Sequence, residues 1–359
     1  MKSRVFDEYP VKQGESGFFQ LDVTSNLYGQ TIFVPLHVVR GAKQGPTLLL
    51  MATVHGNEHP PIRTMYELLR SLRPEDLSGS IMLVPVANPA AFARDKRRTP
   101  EIDIDFTNMN RVFPGRRSTP AFGEGQSQPS DVTLTEWITQ VIADRVIPYC
   151  DFMMDFHCHA EGCCLSESIC PPPEEDVNGM GKSMAVAFGW GIIHEDSSSC
   201  GTASGFARSL GIPSFSPEIG GSEMGSRLES VFIDIQVQGT LNVMRRLGMY
   251  PGEIRPFVKD RFVYRQCPKV RPTVSGYLVS RITPEMLYSD DILSGKRLGV
   301  KVSPGVLLGE VFDPYSLKLV EELTCPVGGL LYMSRRDGPV LAGSLVYGIA
   351  ADQGGRIEK

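Results

Sequence analysis

Three side chains of the kinds that bind divalent metals stand near the ends of predicted strands. His55 and Glu58 are three positions apart in the segment HGNE, and His157 closes the segment DFH. Two histidines and one glutamate form a ligand set of catalytic zinc sites, in which a fourth position stays open for water. Zinc lowers the pKa of that water to about 7. The residue types therefore predict one zinc ion per chain, bound by His55, Glu58 and His157.

Further polar side chains fall at the ends of other predicted strands. Glu218 is not required as a metal ligand, so it is free to act as a general base. Arg111 offers a bidentate guanidinium for a substrate carboxylate, and Asp155 is placed to orient a metal ligand. In open α/β sheets, ligands bind outside the carboxyl ends of the strands. The convergence of these residues at such ends predicts one catalytic site.

Each of these residues, taken alone, also has an ordinary structural interpretation. An H-x-x-E pair is common in polar loops, and a histidine such as His157 often makes only a hydrogen bond in a core. Glu218 also suits a solvated loop, and Arg111 a surface ion pair of little energetic value. A metal-binding module without activity is therefore an alternative to an enzyme. The presence of a general base beside the ligands favours the enzyme.

The elements that position these residues alternate between strands and helices. Antiparallel strands near a sheet edge are predicted over 18–40, and Asp131 or Thr133 is expected to cap a helix. Apolar runs and helical spacing predict buried strands at 47–54, 81–88, 152–157, 191–195 and 212–218, and helices at 62–72, 133–147, 180–189, 202–210 and 229–247. This order indicates an α/β fold with a mostly parallel or mixed central sheet and helices on both faces.

The pattern changes near residue 250. After a linker rich in Pro and Gly, short strands with Gly and Pro turns and no convincing helix predict a small all-β, barrel-like domain over about 265–353. We therefore expect a catalytic domain at 1–250 and a C-terminal β domain at 251–359. Lys318 lies near a turn but lacks the acidic-Lys signature of a carrier domain, so carriage of lipoate or biotin is not expected.

Composition limits the classes of partner and compartment. The chain has 359 residues, of which 42% are hydrophobic and 21% charged, and a net charge of −5. This balance indicates a folded globular protein that is poorly suited to bind nucleic acid or a membrane. The N-terminus shows no secretory signal, and most of the 8 cysteines cluster within 150–170, unlike a secreted disulfide framework. We therefore expect a reduced, cytoplasmic protein.

Four motifs occur in an order that resembles a known family: HGNE (55–58), NMNRVFPG (108–115), DFH (155–157) and PEIGG (217–221). Together they resemble the succinylglutamate desuccinylase/aspartoacylase family, whose members are zinc amidohydrolases related to the M14 metallocarboxypeptidases. The resemblance extends from about residue 30 to residue 350. It implies a zinc carboxypeptidase-like catalytic fold and a C-terminal domain similar to a lipoyl or biotinyl barrel. It also implies that His55, Glu58 and His157 bind zinc and that Glu218 is the general base.

The resemblance also implies residues that contact the substrate. Asn110 and Arg111 match a pair that contacts the carboxylate of the substrate. Arg208 resembles an arginine that holds the substrate and polarises the scissile carbonyl. An arginine upstream of the N-R motif also contacts substrate in the family, and Arg97 is favoured over Arg98 for that role.

Two segments depart from the family's pattern. Asn108 stands where the motif usually has an aspartate. The segment 158–170 holds His159 and four cysteines (Cys158, Cys163, Cys164 and Cys170). A structural zinc site in this segment is an alternative, but its spacing matches no zinc knuckle. We expect the segment instead to line the substrate pocket.

These observations predict a zinc-dependent deacylase that cleaves the amide bond of a small N-acyl amino acid bearing a carboxylate. A metallocarboxypeptidase acting on short peptides would share the same ligands and remains an alternative, as does an esterase. The acyl group and the amine are set by loops such as 158–180 and the polar, Gly-, Ser- and Pro-rich segment 116–131. A homodimer is expected because closed homo-oligomers are common.

Overall fold

The computed structural model describes residues 5–100, 105, 107–115, 132–197 and 201–359. The predicted surface loop 116–131, with the alternative helix cap Asp131, lies outside these described residues. The first part of the chain alternates strands and helices. Its strands are β1 (Ser16–Ser25), β2 (Thr31–Arg40), β3 (Lys43–Ala52), β4 (Ser78–Val84), β5 (Phe152–His159), β6 (Cys163–Cys170), β7 (Ile192–Glu195) and β8 (Ser214–Gly221). Its helices are α1 (Val5–Glu8), α2 (Pro60–Ser71), α3 (Pro89–Phe92), α4 (Leu134–Arg145), α5 (Met180–Phe188), α6 (Ala203–Ser209) and α7 (Ser226–Arg246).

These strands form one mixed sheet. Its order runs β1-β2-β4-β3-β5-β8-β6, and β7 pairs with β6. The antiparallel pair β1–β2 lies at one edge, as predicted, and the pairs β3–β4, β3–β5 and β5–β8 are parallel. The pair β6–β8 is antiparallel. The structure therefore confirms the α/β class with a mixed central sheet.

Strand β3 shows why the sheet is covered on both faces. Side chains alternate between the two faces of a strand. Leu48 and Leu50 accordingly pack in one core with residues of α2, α5 and α7, while Leu49 and Met51 pack in a second core with residues of α4 and α6. All four are fully buried. The continuous apolar run thus places a helical layer on each face, which confirms the prediction.

Helix α4 begins as the sequence predicts. The Thr133 hydroxyl accepts a hydrogen bond from Glu136 N at 3.2 Å, and the Glu136 carboxylate accepts one from Thr133 N at 2.9 Å. This reciprocal capping box satisfies two amide groups that would otherwise lack a partner at the helix start. Of the two predicted caps, Thr133 fills the position.

The C-terminal part is rich in strands, and some of them continue the main sheet. Its strands are β9 (Arg261–Tyr264), β10 (Lys269–Val270), β11 (Gly276–Ser280), β12 (Val300–Val302), β13 (Leu307–Phe312), β14 (Leu319–Thr324), β15 (Gly329–Arg335), β16 (Gly338–Val340), β17 (Tyr347–Ala351) and β18 (Arg356–Glu358). The main sheet continues from β6 through β15, β17 and β10, and β9 joins it beside β7. A second sheet has the order β14-β13-β11-β16. The division into two domains near residue 250 stays a prediction.

Two short helices correct the expectation that this part has none. They are α8 (Pro284–Leu287) and α9 (Asp290–Leu293). Each has four residues, which is too short to produce a helical repeat in the sequence. In the part of the chain that the structure describes, every helix is too short or too polar to span a bilayer.

Candidate active site

His55, Glu58 and His157 meet at the carboxyl ends of β3 and β5. His55 Nδ1 lies 2.8 Å from Glu58 Oε1, and His157 Nδ1 lies 3.0 Å from Glu58 Oε2. One ligand atom from each of the three residues falls within 4.8 Å of the others, and all three side chains are buried. Among the residues described, this is the one group of three or more His, Cys, Asp or Glu so arranged. The alternative cysteine site in segment 158–170 is therefore not assembled.

The outer nitrogens of both imidazoles are held by neighbouring polar groups. His55 Nε2 lies 3.1 Å from Asn108 Oδ1. His157 Nε2 lies 3.2 Å from Asp155 Oδ2 and 3.2 Å from Asn110 Nδ2. Metal-binding histidines usually have such a partner on the nitrogen that faces away from the metal, because it fixes the ring and its tautomer. Asp155 therefore lies where the sequence places it, and Asn108 supports the site although it replaces an aspartate.

The donor set also fits a metal ion in its electrostatics. His55 Nδ1 is buried and lies 2.8 Å from Glu58 Oε1, but among the described residues it has no hydrogen-bond partner. A buried polar atom without a partner costs about 1–3 kcal/mol. A cation between Glu58 and the two Nδ1 atoms would satisfy it. His₂Glu is also the donor chemistry of catalytic zinc sites.

Burial and neighbouring charges shift the ionisation of the group in opposite directions. Burial lowers the pKa of His55 below its usual value. Burial also disfavours the charged form of His157, but the Asp155 and Glu218 carboxylates outweigh it and raise the pKa of His157 well above its usual range. Burial opposes the ionisation of Glu58, but the charges of the two histidines and the hydrogen bond from His157 outweigh it and hold the pKa of Glu58 well below the usual value. The site therefore already favours positive charge beside an ionised carboxylate.

One cavity of about 130 Å³ brings together the residues that the sequence predicts for the substrate and for catalysis. Seven of the lining residues are predicted ligands or candidate catalytic and substrate residues: His55, Arg97, Asn110, Arg111, His157, Arg208 and Glu218. The remaining lining residues are Ile169, Cys170, Asp196, Thr202, Ser204 and Ser216. Segment 158–170 thus contributes to the wall, as expected, but it does so through strand β6 rather than as a loop.

The three arginines of the cavity differ in their partners. Arg97 Nη1 lies 2.8 Å from Glu58 Oε1, so Arg97, rather than Arg98, faces the metal ligands. Arg111 donates to the carbonyl oxygen of Asn110 at 2.6 Å. Among the described residues, neither Arg111 nor Arg208 forms an ion pair with a carboxylate. Both guanidinium groups line the cavity, and Glu175, Asp176 and Asp196 interact electrostatically with Arg208.

Glu218 projects into this cavity from β8, beside His157 on the parallel strand β5. Burial raises the pKa of Glu218 to about 8; His157 opposes this shift, and the Glu58 and Glu167 carboxylates add to it. A bound dication would lower this pKa, because it adds positive charge next to the carboxylate. A buried carboxyl group with a raised pKa beside metal-binding residues is suited to proton transfer.

Glu167 is a buried acid that sequence reasoning missed. It pairs with Glu218 across β6–β8, and it accepts a hydrogen bond from the Tyr264 hydroxyl. His194 stacks on Tyr264 with ring centroids 4.6 Å apart and lies 3.9 Å from Glu167. The segment CCLSESIC shows no clear alternation, so only the register of β6 against β8 could have revealed this pairing.

Comparison with known proteins agrees with this geometry. Residues 44–247 match the model of the succinylglutamate desuccinylase/aspartoacylase catalytic domain. A curated relative, N-alpha-acetyl-L-2,4-diaminobutyric acid deacetylase from Halomonas elongata, is 30% identical over 145 residues, which cover 40% of this chain and 37% of the relative. The matched region therefore spans little more than a third of that relative's length.

Solved structures show the same fold over nearly the whole chain. The product-bound ectoine utilization protein EutE (DoeB) from Ruegeria pomeroyi is 23% identical, with a TM-score of 0.75, over 95% of this chain and 98% of its own. A succinylglutamate desuccinylase from Silicibacter sp. TM1040 is 21% identical, with a TM-score of 0.75, over 97% of this chain and 98% of its own. Because the family model matches more than half of the residues, this chain belongs to the succinylglutamate desuccinylase/aspartoacylase family.

Proposed function

We propose that this chain is a zinc-dependent amidohydrolase that removes the acyl group from a small N-acyl amino acid. One observation carries the proposal. Two members of the buried His55–Glu58–His157 group, His55 and His157, line a single cavity with Glu218, Arg111 and Arg208. Family membership supports the same reaction class.

The proposed metal is held by His55, Glu58 and His157. A zinc ion bound there would supply Lewis acidity and lower the pKa of water toward neutrality. Asn108 and Asn110 contact the outer nitrogens of the two imidazole rings, whose Nδ1 atoms face Glu58, and Asp155 lies 3.2 Å from His157 Nε2 without forming a hydrogen bond. The neighbours of His157 raise its pKa and so favour its protonated form, and the positive charge of a bound zinc ion would take the place of that proton. Metal affinity is therefore expected to fall in acid, as protons compete for the ligands.

The chain's own groups supply proton transfer and substrate binding. Glu218 accepts a proton from the attacking water at its carboxylate and returns it to the leaving nitrogen. Arg111 and Asn110 bind a carboxylate of the substrate. Arg208 donates to the oxygen of the scissile carbonyl, where negative charge develops. Glu218 is partly exposed toward the cavity, where a substrate and its attacking water would reach its carboxylate.

The first substrate to test is N-α-acetyl-L-2,4-diaminobutyrate, because the curated relative is a deacetylase of that acid. A cavity of about 130 Å³ suits a small ligand better than a peptide chain. N-acetylaspartate and N-succinylglutamate test the two activities in the family's name. A dipeptide tests the metallocarboxypeptidase alternative, and an acetyl ester tests the esterase.

The experiment combines metal content with turnover. Protein purified without added metal is expected to hold about one zinc per chain, and His157→Ala is expected to lose it. Glu218→Gln is expected to keep the zinc and to lose about 100- to 10,000-fold in kcat, the usual range for a general base. Full activity in Glu218→Gln would overturn its assignment. Bound zinc with no turnover of any substrate in the panel would favour a non-catalytic metal-binding module.

A further inference from the structure

A tyrosine from the C-terminal part reaches the strand that carries Glu218. Tyr288 directly follows helix α8 and is 4% exposed. Its hydroxyl accepts a hydrogen bond from Gly220 N at 2.9 Å and donates one to Leu165 O. Leu165 and Gly220 are partners in the antiparallel pair β6–β8. The hydroxyl therefore bridges the two strands two pairs away from Glu218 and Glu167.

The ring that carries this hydroxyl is fixed by its packing. It stacks on Trp190 with centroids 5.5 Å apart and meets the edge of Phe232 at 4.7 Å. Trp190 is itself anchored, because its indole N–H donates to Ser166 Oγ on β6 at 3.2 Å. The position of the oxygen between the two strands is therefore set by an aromatic cluster rather than by solvent.

The backbone next to Glu218 has little other freedom. Gly220 has φ +88°, and a Cβ there would lie 2.3 Å from the Phe232 ring, so this close approach requires glycine. The carbonyl oxygen of Ile219 accepts a hydrogen bond from Gln236 Nε2 at 3.0 Å. The Ile219–Gly220 peptide, one residue after Glu218, is thus held by side chains at both ends: Gln236 of α7 donates to its C=O, and Tyr288 of the C-terminal part accepts from its N–H.

We propose that Tyr288 is a positioning residue for Glu218, through which the C-terminal part of the chain sets the geometry of proton transfer. The inference rests on the proposed role of Glu218 as general base. Tyr288 is not among the described residues that line the cavity, and its hydroxyl contacts the strands through Gly220 N and Leu165 O. A misplacement of about 1 Å in a catalytic group can cost about 100-fold in rate.

The test removes the hydroxyl and keeps the ring, with Tyr288→Phe. Its matched control is Tyr347→Phe, which also removes a buried tyrosine hydroxyl. That hydroxyl is hydrogen-bonded to Leu308 O and Ser280 Oγ, and Tyr347 and Leu308 lie in a hydrophobic core made of C-terminal residues. With N-α-acetyl-L-2,4-diaminobutyrate, or the best substrate of the panel, Tyr288→Phe is expected to lose about tenfold in kcat. Its KM should stay within about twofold and its zinc content unchanged. Tyr347→Phe is expected to keep kcat and to lose a similar amount of thermal stability. Both variants are assayed at the same temperature, below the lower of their melting points.

A double variant separates this inference from the proposed function. If Tyr288 acts through Glu218, Tyr288→Phe is expected to add little to the loss caused by Glu218→Gln, because residues that act as a unit are not additive. Amide hydrogen exchange over 217–222 gives a readout independent of activity. Exchange there should be faster in Tyr288→Phe and unchanged in Tyr347→Phe. Unchanged kcat in Tyr288→Phe, with a large loss in Glu218→Gln, overturns the positioning role. An active Glu218→Gln overturns the general base instead.

Discussion

Two glutamates of this chain are nearly fully buried and each contacts three basic side chains, yet the two clusters are built differently. Glu58 lies between His55, His157 and Arg97 at distances of 2.8 to 3.0 Å. Both histidines are buried with it, and His55 Nδ1 is left without a hydrogen bond. The Glu58 cluster therefore contains a buried nitrogen that a cation could bind.

Glu195 shows the opposite arrangement. Its carboxylate lies 3.0 Å from Lys182 Nζ, 3.0 Å from Arg265 Nε and 2.5 Å from Arg356 Nη2. The three cations are 23% to 49% exposed, so they keep part of their hydration while they neutralise the acid. Lys182 and Arg356 also pair with Glu358 of the last strand. The cluster joins β7, α5 and β18, and both oxygens of Glu195 are satisfied.

The difference separates a site from a structural anchor. Replacing a residue of a fully paired charge cluster is expected mainly to change the free energy of unfolding, because the side chains of such a cluster pair with one another. A cluster that contains a buried polar atom without a hydrogen bond is less stable than it could be. Functional sites commonly accept this cost because their side chains are arranged for function. Burial and ion pairing alone would not distinguish Glu58 from Glu195; the unsatisfied nitrogen and the shared cavity do.

The largest effect that tests this comparison is on turnover. Glu58→Gln keeps the size of the side chain but removes the charge of a metal ligand. It is expected to lose bound zinc and at least about 1,000-fold in kcat/KM, equivalent to about 4 kcal/mol. Glu195→Gln is expected to keep both within about threefold. Zinc content and steady-state kinetics of the two variants check this, and equal losses in both would remove the distinction.

The second effect is on stability, and it depends on how exposed the partners of each acid are. Glu195→Ala leaves three cations without their acid and is expected to lower the free energy of unfolding by about 2 kcal/mol. This is less than the 3–5 kcal/mol typical of a broken buried pair, because the partly exposed cations can turn to water. In metal-free protein, Glu58→Ala breaks pairs with two buried histidines and is expected to cost about 3–5 kcal/mol. Urea unfolding with chelator present compares the two, and a loss for Glu195→Ala as large as that for Glu58→Ala would contradict it.

Much of the site could be predicted from the sequence because its residues follow apolar runs. His55 and His157 come from β3 and β5, whose uninterrupted apolar residues indicate burial on both faces and hence parallel neighbours. Parallel strands end at the same edge, so local patterns were enough to bring these side chains together. The capping box at Thr133 is likewise a local signal.

The residues that were missed depend on contacts distant in sequence. Glu167 matters because of its register against Glu218, and nothing within CCLSESIC specifies that register. Tyr288 lies 68 residues from Gly220, and its helix has only four residues. Glu195 resembles any strand-end acid until Arg356 arrives from the last strand. Such pairings are set by tertiary packing, which a single sequence does not display.

The third prediction uses acid to weaken the structural cluster. Burial opposes the ionisation of Glu195, but the hydrogen bonds from Arg356, Lys182 and Arg265 outweigh it and hold the pKa of Glu195 below its usual value. A carboxyl whose pKa is lower in the folded state adds stability above its unfolded-state pKa of about 4.3, and this stability is lost as the pH falls through the folded-state value.

Glu195→Gln is expected to lower the free energy of unfolding at neutral pH, and the gap between this variant and the unmodified protein is expected to shrink as the pH falls below about 4. Urea unfolding at several pH values measures it. Phe215→Leu, a core variant with no change in titratable groups, serves as the control, because its gap should not depend on pH. A gap for Glu195→Gln that is constant with pH would show that its ionisation is not linked to folding.

The smallest effect concerns one cation of the structural cluster. Lys182 contacts both Glu195 and Glu358, but Arg356 contacts the same two acids. Lys182→Met keeps most of the apolar stem and is expected to cost about 1 kcal/mol or less, because Arg356 still neutralises both carboxylates. Lys301→Met is the matched control, since Lys301 pairs only with Asp352 at an exposed site, and its loss should stay within about 0.5 kcal/mol. Thermal unfolding of both variants ranks them. A loss for Lys182→Met as large as that for Glu195→Ala would mean that the cations are not redundant, and the anchor would then depend on its geometry as closely as the Glu58 cluster does.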